Sequence, residues 1–145
     1  MKTRKILFSG IAFLSLVCSG LGYGQISLNT SPYIENFDGI GTTQPTGWSV
    51  RTGATSTALG AVATFPVTAT AWNVTTGHFR NVASATGLTS TATTTAQNSS
   101  SNRSLAVRQS GTFANPGASF VLQLANTSNR ANFQLSFKLN SFYCN

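Results

Sequence analysis

The sequence has little with which to run a reaction: its 145 residues hold one histidine, His78, one glutamate, Glu35, and one aspartate, Asp38. A Ser-His-Asp triad would have to use His78 and Asp38. No nucleophile elbow supports one, because Gly47, Trp48, Ser49, Val50 and Arg51 lack the closing glycine. Glu35 and Asp38 also make a poor glycosidase pair: such carboxylates face the scissile bond from opposed positions, and these two sit close together on one short segment. The expectation is a protein that is not an enzyme.

Cysteine is nearly absent too. Cys18 and Cys144 are the two present, and if Cys18 leaves with a cleaved leader, no disulfide framework can form within the chain. Cys144 then reads as incidental, or as a thiol that pairs with another molecule. Zinc needs about four ligands, and His78 and Cys144 have no companions at ligand spacing. No cofactor is expected. Calcium takes oxygen ligands and accepts backbone carbonyls, so Glu35 and Asp38 are a candidate site for it. The alternative is that these acids shape a turn, with Asp38 preceding Gly39.

Long apolar runs are missing after the first 24 residues, so no membrane span is expected in the mature chain. The one run, residues 6–18, follows the basic Lys2, Arg4 and Lys5 and is too short to cross a bilayer, which needs roughly 20 residues. Gly22 and Gly24 place small residues at −3 and −1 of a cut before Gln25. Residues 1–24 therefore read as a cleaved signal peptide, and the product as secreted or held at the cell surface. Two alternatives are a buried N-terminal helix and a lipoprotein acylated on Cys18, the latter opposed by Val17 where a small residue belongs. Without the leader, residues 25–145 form one domain of 121 residues. Six basic residues then face two acids, a net charge of +4. Arg51, Arg80, Arg103, Arg108, Arg130 and Lys138 are scattered rather than clustered, so no nucleic-acid partner is expected. Arg103 and Arg108 are expected to pair with the rare acids or with backbone carbonyls.

What the chain does have is period-two alternation. Phe133, Leu135, Phe137 and Leu139 alternate with Gln134, Ser136 and Lys138, and Phe120, Leu122 and Leu124 share one phase upstream. Asn126, Thr127, Ser128 and Asn129 separate the runs, which predicts an antiparallel hairpin burying seven large side chains, worth about 10–20 kcal/mol before entropy. Shorter strands are predicted around Leu105 and Val107 and over residues 33–37, 48–51 and 59–65. No helical period stands out after residue 25. The fold class read from this is all-β, an antiparallel β-sandwich of jelly-roll-like form. Residues 83–102 are almost wholly Ser, Thr, Ala, Gly and Asn, with Leu88 their one large apolar side chain. They read as a long solvated loop or as a linker between two half-domains. Beyond Leu139 the alternation breaks at Ser141, Phe142 and Tyr143, which reads as a truncated frame or as a bulge near a natural terminus.

Two motif runs carry a resemblance. Glu35, Asn36, Phe37, Asp38 and Gly39 precede Pro45, Thr46, Gly47 and Trp48; Asn102 to Arg108 precede Gly111, Phe113 and the run from Pro116 to Phe120. In this order they resemble the N-terminal β-sandwich domain of large secreted bacterial proteins of the type IX secretion kind, over most of residues 33–140. Those proteins often continue into lamin-tail-like, nuclease or adhesion modules and end in a sorting domain. The resemblance implies a sandwich, an extracellular setting and a chain that is incomplete here, because the family's domains run on for several more strands and no sorting domain is present. If a hydrolase or nuclease follows, its active site lies beyond Asn145.

A sugar-binding face is the sharpest ligand expectation. Pyranose rings stack on exposed aromatics with polar side chains alongside. Trp48, Trp72, His78 and Phe79 are the candidate rings, and Asn73 and Arg80 the hydrogen-bonding neighbours. The expected partners are polysaccharide or cell-surface components; the alternative makes both tryptophans core residues.

Overall fold

The computed structural model describes residues 24–29, 31–41, 43–65 and 68–142. The leader expected over residues 1–24 lies, Gly24 apart, outside the described residues, as do Cys18 and Cys144. Along the described chain the elements are β1 (Ile26–Ser27), β2 (Trp48–Thr52), β3 (Ala61–Val62), β4 (Ala69–Thr70), β5 (His78–Ala83), α1 (Thr94–Ser99), β6 (Arg103–Arg108), β7 (Ala118–Leu122) and β8 (Leu124–Ala125). The protein is all-β, with one short helix among the described residues. No described helix is long and apolar enough to cross a membrane.

Three small sheets form. One has the order β3-β2-β7, with both pairings antiparallel; a second has the order β4-β5-β6; the third pairs β1 with β8. The antiparallel expectation describes the longer ladders, β2 with β7 and β5 with β6. The short pairs β4/β5 and β1/β8 are parallel.

Local sequence explains where β2 begins. Trp48 donates its backbone N–H to the Pro45 carbonyl at 3.1 Å across Thr46 and Gly47, and Gly47 has φ +82°. That is a turn whose third residue must be left-handed. A Cβ at Gly47 would also stand 2.7 Å from Ile26 Cγ1, so glycine is required twice over.

The two three-stranded sheets meet through aromatic rings. Phe79 on β5 has no exposed surface; its ring lies 5.5 Å from Phe113, on the β6–β7 connection, and 5.7 Å from Phe120 on β7. Val50, also buried, stands opposite Phe120 in the β2–β7 register. Strand β5 is covered on both faces, since Phe79, Asn81 and Ala83 on one side and Arg80 and Val82 on the other are all buried. A second cluster joins Trp72, Val82 and Ala83, with Leu88, Ala92, Ala106 and Phe142 packed against it.

Several expectations are corrected. The strand expected at residues 59–65 shrinks to Ala61–Val62, and residues 33–37 form no strand. The tract at 83–102, read as solvated loop or linker, carries α1, and its Leu88 and Ala92 join the Trp72 cluster. The hairpin between Phe120 and Leu139 is absent: β7 pairs with β2, and residues 133–139 pair with no strand among the described residues. The cause lies in the intervening turn. Asn126, Asn129 and Asn132 all take φ near +60°, Asn126 Nδ2 donates to Ser27 Oγ at 2.6 Å and Asn29 Oδ1 at 3.2 Å, and Arg130 donates to the Leu28 carbonyl. The chain is thereby held against residues 27–29 and led away from β7. It continues without assigned secondary structure to Phe142, which stacks on Trp72 at 4.7 Å. Along this strap Phe133, Leu135, Phe137 and Leu139 are 58%, 80%, 72% and 84% exposed.

Candidate functional site

The best-organised polar cluster grows from the Glu35 to Ile40 turn. Glu35 Oε1 accepts from the Phe37 N–H at 2.8 Å, Asn36 Oδ1 from the Asp38 N–H at 3.0 Å, and the Phe37 carbonyl from the Ile40 N–H at 3.0 Å. These braces hold Phe37 at φ 63°, a conformation costly for a bulky side chain. They also aim Asp38, whose Oδ1 accepts from the Arg103 backbone N–H at 2.9 Å. The two motif runs of the sequence thus meet in space, at the start of β6.

Arg103 is buried and its guanidinium faces only neutral acceptors. Nε donates to Asn81 Oδ1 at 2.8 Å, Nη1 to the Gln97 and Ser100 carbonyls at 2.9 and 3.2 Å, and Nη2 to the Asn81 carbonyl at 3.0 Å. Burial pushes the Arg103 pKa below the usual arginine value, and among the described residues no carboxylate bonds the guanidinium to repay the lost hydration. Asn81 can face Arg103 only with its oxygen, which turns its Nδ2 to the Ile40 carbonyl. Gln97, on α1, accepts from the Trp72 N–H and donates to the Ala92 carbonyl at 2.7 Å. One cation and two amides thereby tie the 38–40 turn, β5, α1 and β6 together. Beside them lies an open groove of about 420 Å³ whose lining includes Asp38, Asn98, Ser100, Ser101 and Arg103.

The glycan candidates are not gathered into one surface. Trp48 is half-buried in the β3-β2-β7 sheet, its ring 4.9 Å from Phe37 and its Nε1 donating to the Tyr33 hydroxyl at 3.1 Å. Trp72 is buried beneath Phe142 and donates from Nε1 to the Ala83 carbonyl at 2.7 Å. Phe79 is core. Arg80 is buried, with Nη2 on the Thr76 carbonyl and no hydrogen-bond partner for Nε among the described residues. Burial first, and then the charge of Arg108, lower its pKa. Asn73 and His78 are exposed, His78 with its ring 5.3 Å from Phe113. Trp72, Phe79 and Arg80 therefore offer a sugar no open face: their apolar or charged bodies are used for packing.

The calcium candidates are both engaged in backbone bracing. Glu35 also accepts from the Tyr33 hydroxyl at 3.2 Å, and Tyr33 has a raised pKa, chiefly from burial and further from the neighbouring Glu35 charge. Among the described residues no three of His, Cys, Asp and Glu lie together.

Of the network, the sequence pointed to Arg103, with the rare acids or backbone carbonyls as partners, of which the guanidinium takes carbonyls; it did not point to Asn81 or Gln97. Thr93, whose Oγ1 caps α1 by accepting from the Ala96 N–H at 3.2 Å, was the available signal for the helix that carries Gln97. Comparison of the chain with protein-family models, with curated proteins and with solved structures gave no match.

Proposed function

We propose that the chain is a non-enzymatic extracellular β-sandwich module of jelly-roll-like form, structural or interaction-mediating, exported behind its cleaved leader as part of a larger secreted or surface protein. One observation carries the reading: both carboxylates of the described chain and Arg103 are spent on the fold, which leaves the exposed His78 without an acid beside it among the described residues. Glu35 and Asp38 accept from backbone N–H groups, and Arg103 donates to carbonyls. A general base must be free to take a proton, and a carboxylate already bound to a backbone donor inside a braced turn is a poor one. The facing of Phe79 and Phe120 across two sheets supports a sandwich, and the meeting of Asp38 with Arg103 supports treating the two motif runs as one unit. The test is turnover: processed protein is incubated with polysaccharide, peptide and nucleic-acid substrates, and none should be cleaved. Cleavage that disappears in Asp38→Asn would overturn the reading.

A carbohydrate-binding reading stands second, favoured by the open groove where Asp38, Asn98, Ser100 and Ser101, whose hydroxyl and amide groups suit sugar hydroxyls, lie beside the apolar Ile40 and Ala69. Titration with polysaccharides, followed by calorimetry, should give saturable heat that is lost in Asn98→Ala combined with Ser101→Ala; no heat with any glycan removes the reading.

A further inference from the structure

We propose that the strap at residues 133–139 is a β-strand donated to a second copy of this chain, pairing with the open edge of that copy's β7 in a reciprocal, two-fold exchange. Donor and acceptor are both present and both incomplete. The donor alternates strictly in sequence, which would set Phe133, Leu135, Phe137 and Leu139 on one face of a strand; they are 58% to 84% exposed, and no described residue pairs with its backbone. The acceptor is β7, which ends its sheet: β2 occupies one side, and among the described residues nothing occupies the other. At that edge the contact between the sheets is unfinished. Phe120 touches Phe79 yet is 40% exposed, and Val107, opposite Phe79 on β6, is 37% exposed. An added strand with large apolar side chains on one face covers both.

The strap does not serve its own β7. Asn126 and Arg130 bind its leading end to residues 27–29, and Phe142 anchors its far end on Trp72. Between these anchors it is bare, so strand addition requires neither to be released. The only charge in the donor run, Lys138, lies on the polar face and leaves the apolar face uncharged. Area supports the choice of a second copy. Four exposed Phe and Leu side chains bring on the order of 500 Å² per donor. Two donors with the acceptor faces they cover reach the roughly 1,200–2,000 Å² of a stable interface. A reciprocal exchange also closes on itself, occupying both donors and both acceptors without open-ended growth.

This deepens the interaction-module reading and rests on it, yet fails separately: turnover tests that reading, and association tests this one. The full processed chain is examined by size-exclusion chromatography with light scattering from about 1 to 100 µM, and by amide hydrogen exchange. The expected result is a dimer whose 133–139 amides are protected. Leu135→Glu combined with Phe137→Glu should return it to monomer with an unchanged denaturation midpoint relative to the parent diluted to monomer, since both side chains are exposed and bear no load in the single copy. A monomer at every concentration overturns the proposal. So does a dimer that survives the double substitution, a dimer whose 133–139 amides exchange at open-chain rates, or an open-ended polymer.

Discussion

The region from β5 to β6 and the strap at residues 131–142 reverse the usual relation between composition and position. The first contains the polar tract, yet it buries Arg80, Asn81, Gln97 and Arg103. The second has the cleanest apolar alternation in the chain, yet it leaves its phenylalanines and leucines in water. What separates them is pairing. In the first region each buried donor of Arg103 and Asn81 meets a carbonyl or amide oxygen, which offsets desolvation. In the second the apolar side chains alternate in sequence, but the turn that precedes them is held against residues 27–29 and they meet no partner strand among the described residues.

The sharpest way to break this comparison uses one residue type in both places. Phe79→Ala removes a ring with no exposed surface and should cost about 3–5 kcal/mol in chemical denaturation; a loss below about 1 kcal/mol would mean the sheets do not meet there. Arg103→Met is next, at about 3 kcal/mol, because the Asn81, Gln97 and Ser100 oxygens lose their donor at a buried site. If that variant were as stable as the parent, the polar network would be ornament and apolar packing the whole account. Gln97→Ala should cost about 2 kcal/mol by unpairing the Trp72 N–H and the Ala92 carbonyl, and should speed amide exchange in α1 more than in β2. Equal acceleration in both would show that α1 is not a separately tethered element.

Tyr33→Phe should cost about 1 kcal/mol near neutrality, through loss of the bonds to Glu35 and Trp48. It also has a pH signature. The folded pKa lies above the ordinary tyrosine value of about 10, so above that pH the unfolded chain has released a proton that the folded chain retains. Stability is therefore undiminished below about pH 10 and falls as pH rises through the folded pKa; the fall should be smaller in the variant, as read from denaturation midpoints at alkaline pH. The smallest effect belongs to the strap. Phe137→Ala, measured at dilutions where copies separate, should change stability by less than about 0.5 kcal/mol, despite removing the same ring as at position 79.

Legibility in the sequence was uneven for reasons visible in these residues. Strands β2 and β6 were readable because Trp48 to Arg51 and Leu105 to Val107 alternate and are bounded by turn residues. The helix was not, since Thr94–Ser99 has no apolar stripe and is held by one buried amide rather than by a hydrophobic face. Arg103 was readable as an arginine that would pair with an acid or with carbonyls, but Asn81 was hidden between Arg80 and Val82, where nothing local marks an amide as buried. The aromatic candidates misled for a complementary reason: composition reports rings and says nothing of which side of a sheet they occupy.

The sequence by itself determined the β character, the positions of β2 and β6, and the shortage of ionisable groups, because side-chain period and residue counts are local quantities. Only the tertiary structure decided which faces were covered. It brought Asp38 to the Arg103 backbone and Gln97 to that of Trp72, and it sent Phe133 to Leu139 away from β7. Those outcomes depend on where a turn aims the chain and on whether donors and acceptors distant in sequence meet at hydrogen-bonding distance.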